Sequence, residues 1–131
     1  MKLSSTGLSH LGLRVTDLAR ARQFYVDILG FQPLIEQAGI LICNAYGSVI
    51  AFGGDAPETD KHDRFDPYRV GLDHAALAVS DLDALEDMKR GLDAANVSNN
   101  GIELDEFTHA TYISFYDPDG IAWELYVTPK R

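Results

Sequence analysis

The chain repeats itself. Leu8-Ser9-His10-Leu11-Gly12-Leu13-Arg14-Val15-Thr16-Asp17-Leu18 aligns with Leu72-Asp73-His74-Ala75-Ala76-Leu77-Ala78-Val79-Ser80-Asp81-Leu82, 64 residues further on. Leu, His, Leu, Val, Asp and Leu recur, and Thr16 matches Ser80 in kind. A fixed internal period marks a duplicated supersecondary unit, so the fold must be buildable from two copies of one motif. In each copy an apolar strand runs into a hydroxyl residue and an Asp, which reads as a strand-to-helix junction. Thr16 or Ser80 can cap the helix that follows, and Asp17 or Asp81 suits its positive N-terminal end.

Helical periodicity follows each junction. Leu18, Ala21, Tyr25 and Ile28 share a face in the first copy, with Gly30 as the stop. Leu82, Leu85, Met88, Leu92 and Ala95 share one in the second, with Asn96 in the stop role. Strands come next. Phe31 to Glu36 is one, and Ile40 to Ala45 and Ser48 to Phe52 form a hairpin about Tyr46-Gly47. In the second copy Thr111 to Tyr116 and Ile121 to Val127 flank Asp117-Pro118-Asp119-Gly120, a strong turn sequence, with a shorter strand near Ile102 to Leu104. Residues 54–70, rich in Gly, Pro and charge, read as a linker. The expected architecture is α+β: tandem βαβββ modules at about 7–53 and 71–128, in one domain spanning 1–131.

Composition narrows the function. With 131 residues and 46% hydrophobic content, the chain is long enough for a core without staples. No run of about 18 apolar residues is present, so no membrane span is expected, and a cytoplasmic location is the default. The net charge of −9 and scattered Lys and Arg argue against nucleic acid. Cys43, the single cysteine, lies in the apolar run Ile40-Leu41-Ile42-Cys43 and reads as a small buried hydrophobe.

Strand alternation sorts the polar residues. Leu11, Leu13 and Val15 form the helix-facing set of the first strand, leaving His10, Gly12 and Arg14 opposite. Ala75, Leu77 and Val79 leave His74, Ala76 and Ala78 opposite. In the last strand Ile121, Trp123, Leu125 and Val127 face the helix, and Ala122, Glu124 and Tyr126 do not. His10, His74 and Glu124 therefore share the face away from the helices, and two imidazoles with one carboxylate are a metal-binding set with open positions. Each of these residues taken singly is more often an ordinary strand residue; the recurrence of His at the 64-residue offset is what favours a ligand role. Tyr112, Tyr126, Ser114 and Tyr46 are candidates to line the cleft.

The tandem βαβββ pattern with His10, His74 and Glu124 resembles the vicinal oxygen chelate superfamily, which includes glyoxalase I, extradiol dioxygenases, fosfomycin-resistance thiol transferases and bleomycin-resistance proteins. His10-Leu11-Gly12-Leu13-Arg14-Val15, Phe24-Tyr25 and Leu29-Gly30-Phe31 are similar to the glyoxalase I opening signature. Phe115-Tyr116-Asp117-Pro118-Asp119-Gly120-Ile121-Ala122-Trp123-Glu124 is similar to the superfamily's closing segment. The resemblance implies one divalent metal ion (Fe, Mn, Ni, Zn or Co), a small-molecule substrate with adjacent oxygens, and a homodimer. The fourth ligand position of glyoxalase I aligns, through the turn glycines Gly47 and Gly120, with Ala51, which cannot bind metal. Two His and one Glu are the ligand set of the extradiol dioxygenases and of the fosfomycin-resistance enzymes, and the dioxygenase closing signature, which His109, Phe115, Tyr116, Pro118, Gly120 and Glu124 resemble, implies catalytic roles for His109 and Tyr116. Arg14 is the candidate substrate-binding cation.

The first expectation is therefore a metal-dependent enzyme with an open two-His-one-Glu site of dioxygenase type. Alternatives are a glyoxalase-like isomerase or lyase, a fosfomycin-type thiol transferase, and a bleomycin-resistance-type binding protein that uses no metal.

Overall fold

The structure, a computed structural model, describes residues 1–129. It resolves into two compact units, the first Met1–Asp63 and the second starting at Arg64. The first unit runs β1 (Leu11–Arg14), α1 (Leu18–Arg22, continuing as a π-helical stretch Gln23–Ile28), β2 (Gln32–Gln37), β3 (Ile40–Ala45) and β4 (Ser48–Gly53). The second runs β5 (Ala75–Val79), α2 (Leu82–Ala94), β6 (Asn99–Leu104), β7 (Thr111–Tyr116) and β8 (Ala122–Val127). Each unit is one βαβββ motif. The sheet orders are β1-β4-β3-β2 and β5-β8-β7-β6, with β1–β4 and β5–β8 parallel and the other neighbours antiparallel.

Sequence punctuation sets most of these boundaries. Tyr46 and Gly47 both take positive φ, 55° and 107°, as a two-residue hairpin turn of the I′ kind requires. The Asp117 carboxylate accepts from the backbone N–H groups of Asp119 and Ile121 at 2.9 and 2.7 Å, closing the β7–β8 turn from a buried position. Asn96 ends α2 at φ 56°. β6 begins at Asn99, ahead of the Ile102 start expected from the apolar residues, because Asn99 already pairs with Phe115 across an irregularity in register.

Two helical expectations need correction. The caps are Asp17 and Asp81, which accept from Arg20 N at 3.0 Å and Ala84 N at 2.8 Å. Thr16 instead accepts from the Arg20 guanidinium at 2.9 Å. The Asp residues stand three positions before a free helical N–H, where a side-chain oxygen reaches it. The inner face also differs. Ile28 is exposed, and Phe24 joins Tyr25 in the core, because the π-helical widening turns both rings inward. In α2 only Leu85 and Leu92 are buried, Leu85 fully, while Leu82 and Met88 stay exposed.

Each unit packs its core between helix and sheet. In the first, the Tyr25 ring centroid lies 4.2 Å from that of Phe52 and 5.0 Å from that of Phe24, and Leu41 and Cys43 of β3 are buried in the same unit. In the second, Trp123 stacks on Phe115 beneath α2 with Leu85 and Ile113. Cys43 is wholly buried, and burial pushes its thiol above the ordinary value. The buried, helix-facing strand residues include the expected Leu13, Val15, Val79, Ile121, Trp123 and Leu125, which leaves Glu124 and Tyr126 on the opposite face of the second sheet.

Candidate functional site

The second unit carries a cavity of about 670 Å³ on that opposite face, lined by His74, Ala76, Glu103 to Phe107, Tyr112, Glu124 and Tyr126. Register explains the depression. Glu124 in β8 is flanked by Ala76 of β5 and Ser114 of β7, two small side chains that leave its carboxylate room. Tyr126 pairs with Tyr112, and the rings stack at 5.9 Å along the wall.

His74 and Glu124 meet here. His74 Nε2 lies 3.3 Å from Glu124 Oε1, and His74 Nδ1 lies 2.6 Å from Asp73 Oδ1. Donation of Nδ1–H to Asp73 leaves the Nε2 lone pair facing the cavity, the tautomer a metal ligand needs. In the first copy the preceding residue also meets the ring: Ser9 Oγ hydrogen-bonds His10 Nδ1 at 3.0 Å, through a hydroxyl that can serve as donor or acceptor. The residue before each His thus contacts its Nδ1, Asp73 in the second copy and Ser9 in the first.

Electrostatics favour a cation at this pair. Burial raises the Glu124 carboxyl above its ordinary value; His74 opposes the shift, and the negative charges of Asp105, Asp73 and Glu103 add to it. Among the described residues no Lys or Arg lines the cavity. Two donors bound side by side to one ion at about 2.1 Å each lie about 3 Å apart, so the His74–Glu124 spacing fits a shared divalent metal. Among the described residues no three His, Cys, Asp or Glu side chains form a complete ligand cluster.

Neighbouring side chains are fixed by a directional hydrogen-bond chain. Tyr126 Oη–H donates to Asp105 Oδ2 at 2.9 Å. That uses the only phenolic proton, so Thr108 Oγ1–H donates to Tyr126 Oη. Thr108 Oγ1 accepts from Ala110 N at 3.2 Å, and Asp105 Oδ1 accepts from Phe107 N at 2.8 Å and Thr108 N at 3.3 Å. The Asp105 carboxyl is held below the usual carboxylate range, first by the Phe107 N–H and then by the Tyr126 hydroxyl. Sequence reasoning named Tyr126 and missed Asp105; an Asp-Glu-Phe-Thr turn before a strand was the available clue.

The remaining candidates sit elsewhere. His109 is exposed at φ 61° in the β6–β7 turn, and Tyr116 Oη accepts from Asn100 Nδ2 at 2.9 Å; neither lines the cavity. Arg14 is exposed on β1, its guanidinium laid over Gly53, where a Cβ would come within 2.7 Å of Nη1. Tyr46 donates to the Leu29 carbonyl at 2.6 Å, on the helix side of its unit. Ala51 pairs with Gly12 as Glu124 pairs with Ala76, so backbone register makes Ala51 the first-unit counterpart of Glu124.

Residues 7–125 match the sequence profile of the Glyoxalase/Bleomycin resistance protein/Dioxygenase superfamily. The chain belongs to that superfamily. It is 33% identical over 125 residues to the uncharacterized protein YaeR of Escherichia coli (strain K12), a match covering 89% of this chain and 92% of YaeR. Its fold is similar to a glyoxylase/bleomycin resistance protein/dioxygenase domain from Frankia sp. EAN1pec, with TM-score 0.80, 25% identity and 96% and 100% of the two chains covered. It is also similar in fold to a fosfomycin resistance protein, FosX, from Listeria monocytogenes, solved as a mutant complexed with Mn(II) and 1S,2S-dihydroxypropylphosphonic acid. The TM-score there is 0.74 at 20% identity, covering 96% of this chain and 93% of the other. Among the described residues no helix is long and apolar enough to cross a membrane.

Proposed function

We propose that this superfamily member is a divalent-metal-dependent enzyme acting on a small substrate with two adjacent oxygens, with an open two-His-one-Glu site of dioxygenase type. The observation that carries this reading is the His74–Glu124 pair, 3.3 Å apart in a cavity, with Asp73 on the far imidazole nitrogen. His10 is proposed as the third ligand on the repeat alone. Ala51 at the counterpart position of Glu124 supplies no fourth ligand, which leaves coordination positions for substrate and oxidant.

A bound metal would supply Lewis-acid charge to two vicinal oxygens. The chain's own residues do the rest. His74 and Glu124 hold the ion, Asp73 keeps the His74 tautomer, and Tyr112 and Tyr126 form a wall against the substrate. Tyr126 offers its ring and an oxygen lone pair, because its proton is committed to Asp105. The FosX relative's diol ligand, with Mn(II), supports the vicinal-oxygen class. A phosphonate substrate is disfavoured, since the acids Glu103, Asp105, Glu106 and Glu124 line the cavity.

The test is metal content of protein purified without chelator, then reconstituted anaerobically with Fe(II) or Mn(II), followed by O₂ uptake with catechol. Stoichiometric Fe or Mn, lost in His74→Ala, with O₂ uptake, supports the reading. A preference for Ni, Zn or Co with hemithioacetal isomerisation moves it to the glyoxalase-like alternative. Failure to bind any of these ions leaves a metal-free binding protein instead.

A further inference from the structure

We infer that the cavity of the second unit selects ring-bearing ligands that carry a positive charge, with Phe107 as the contact ring and Glu103 and Glu106 setting the charge preference. This rests on the reading of that cavity as the ligand site.

Phe107 carries the first part. It lines the cavity and yet is 92% exposed, an unfavourable place for a large apolar ring in water. Its backbone is not loose: the Asp105 carboxylate holds the Phe107 and Thr108 N–H groups and, through Tyr126, ties this turn to β8. Further backbone bonds, Asp105 N to Ala110 O and His109 N to Asp105 O, both 2.8 Å, close the turn. An exposed aromatic on a pinned turn loses little backbone entropy on binding, which is what a contact residue needs. The stacked pair Tyr112 and Tyr126 adds two more aromatic rings to the same cavity, and aromatic faces attract cations.

Charge carries the second part. Glu103 and Glu106 are exposed acids on the lining, one at the end of β6 and one on the pinned turn. Glu124 and Asp105 add to the negative field, and even a divalent ion would not cancel four carboxylates. An ammonium-bearing ring is attracted by this field and a carboxylate-bearing ring repelled.

Three probes share a catechol ring and differ in charge: dopamine, catechol and 3,4-dihydroxybenzoate. Binding to the full chain is measured with chelator present, by calorimetry and by amide shifts, so that the result does not depend on metal. Dopamine is expected to bind about ten-fold tighter than dihydroxybenzoate at low salt, with catechol between, and 0.5 M NaCl to compress the series. Shifts should centre on Phe107, Tyr112 and Tyr126. Glu103→Gln/Glu106→Gln should cut the dopamine-to-dihydroxybenzoate ratio several-fold, with Glu124 and Asp105 keeping the remainder. Asp83→Asn/Glu86→Gln on α2, which changes net charge equally, should not. Phe107→Ala should weaken all three probes several-fold, and Phe107→Trp should restore binding.

Equal or tighter binding of dihydroxybenzoate overturns the inference, as does an equal response to the two double variants, which would trace the preference to overall charge. Metal titration of the same proteins is read separately. Loss of metal binding with the charge order intact defeats the proposed enzyme and not this inference; the reverse result defeats the inference alone.

Discussion

At the residue scale, the His74 ring is oriented by its neighbour before any ligand arrives. Asp73 is exposed and sits on Nδ1, so replacing it removes no packing. Asp73→Asn is expected to keep the fold and weaken metal binding about ten-fold, since partners of ligand imidazoles typically contribute that much. Titration of Mn(II) into wild type and variant checks it, and an unchanged affinity would mean the Nδ1 contact is incidental. His74 and Glu124 were readable in the sequence because the repeat and the strand alternation both select them. Asp73 was not singled out, because it differs from its counterpart Ser9 although both meet the same ring nitrogen. Cys43 bears out the simpler reading. It has no exposed surface and a raised thiol, so native protein should react with a thiol reagent such as dithionitrobenzoate only at the rate at which it opens. Prompt stoichiometric reaction without denaturant would contradict this burial.

At the element scale, the two kinds of element differed in how well sequence exposed them. Hairpins were legible because turn chemistry is local: Tyr46-Gly47 and Asp117-Pro118-Asp119-Gly120 carry the positive φ or the carboxylate that the turn needs. The inner face of α1 was not legible, because a 3.6-residue period assumes an α-helix and residues 23–28 are π-helical. In α2 the cap shifts by one residue, from hydroxyl to Asp81, and this is testable. Asp81→Ala should cost about 1 kcal/mol and Ser80→Ala much less. Leu85→Ala, deleting a fully buried side chain, should cost about 2–5 kcal/mol, and chemical denaturation ranks the three. The turn from Asp105 to Ala110 behaves as one more element, held by a carboxylate whose pKa is lowered in the fold. A lowered pKa means its contribution is complete above the unfolded value, about 3.9, and fades as pH falls through the lower folded value. The Phe107 and Thr108 amide shifts should therefore hold steady from neutral pH to about 4 and move only below it; Asp105→Asn should abolish that low-pH step.

For the whole molecule, duplication gives two units of identical strand order with different chemistry on the counterpart strands, Glu124 on one and Ala51 on the other. A single ion held by residues of the folded chain then couples binding to stability. At a hundred times its Kd such an ion adds about 2.7 kcal/mol, worth roughly 10 °C in Tm for a chain of this size. A net charge of −9 complicates the measurement, because any cation relieves self-repulsion. The two effects separate by their dependence. Screening follows ionic strength and is shared by NaCl, Ca(II) and Mn(II) at matched strength, whereas site binding saturates at micromolar to millimolar metal and needs the ligands. The expected outcome is a saturating Mn(II)-induced rise in Tm that exceeds the rise at matched NaCl. That excess should vanish in His74→Ala and in Glu124→Gln and shrink in His10→Ala. His10 provides the sharpest reading, because only the repeat assigns it. An excess untouched by His10→Ala but lost in His74→Ala would confine the metal to the second unit and its own cavity, while loss in both would give the duplicated histidines one common purpose.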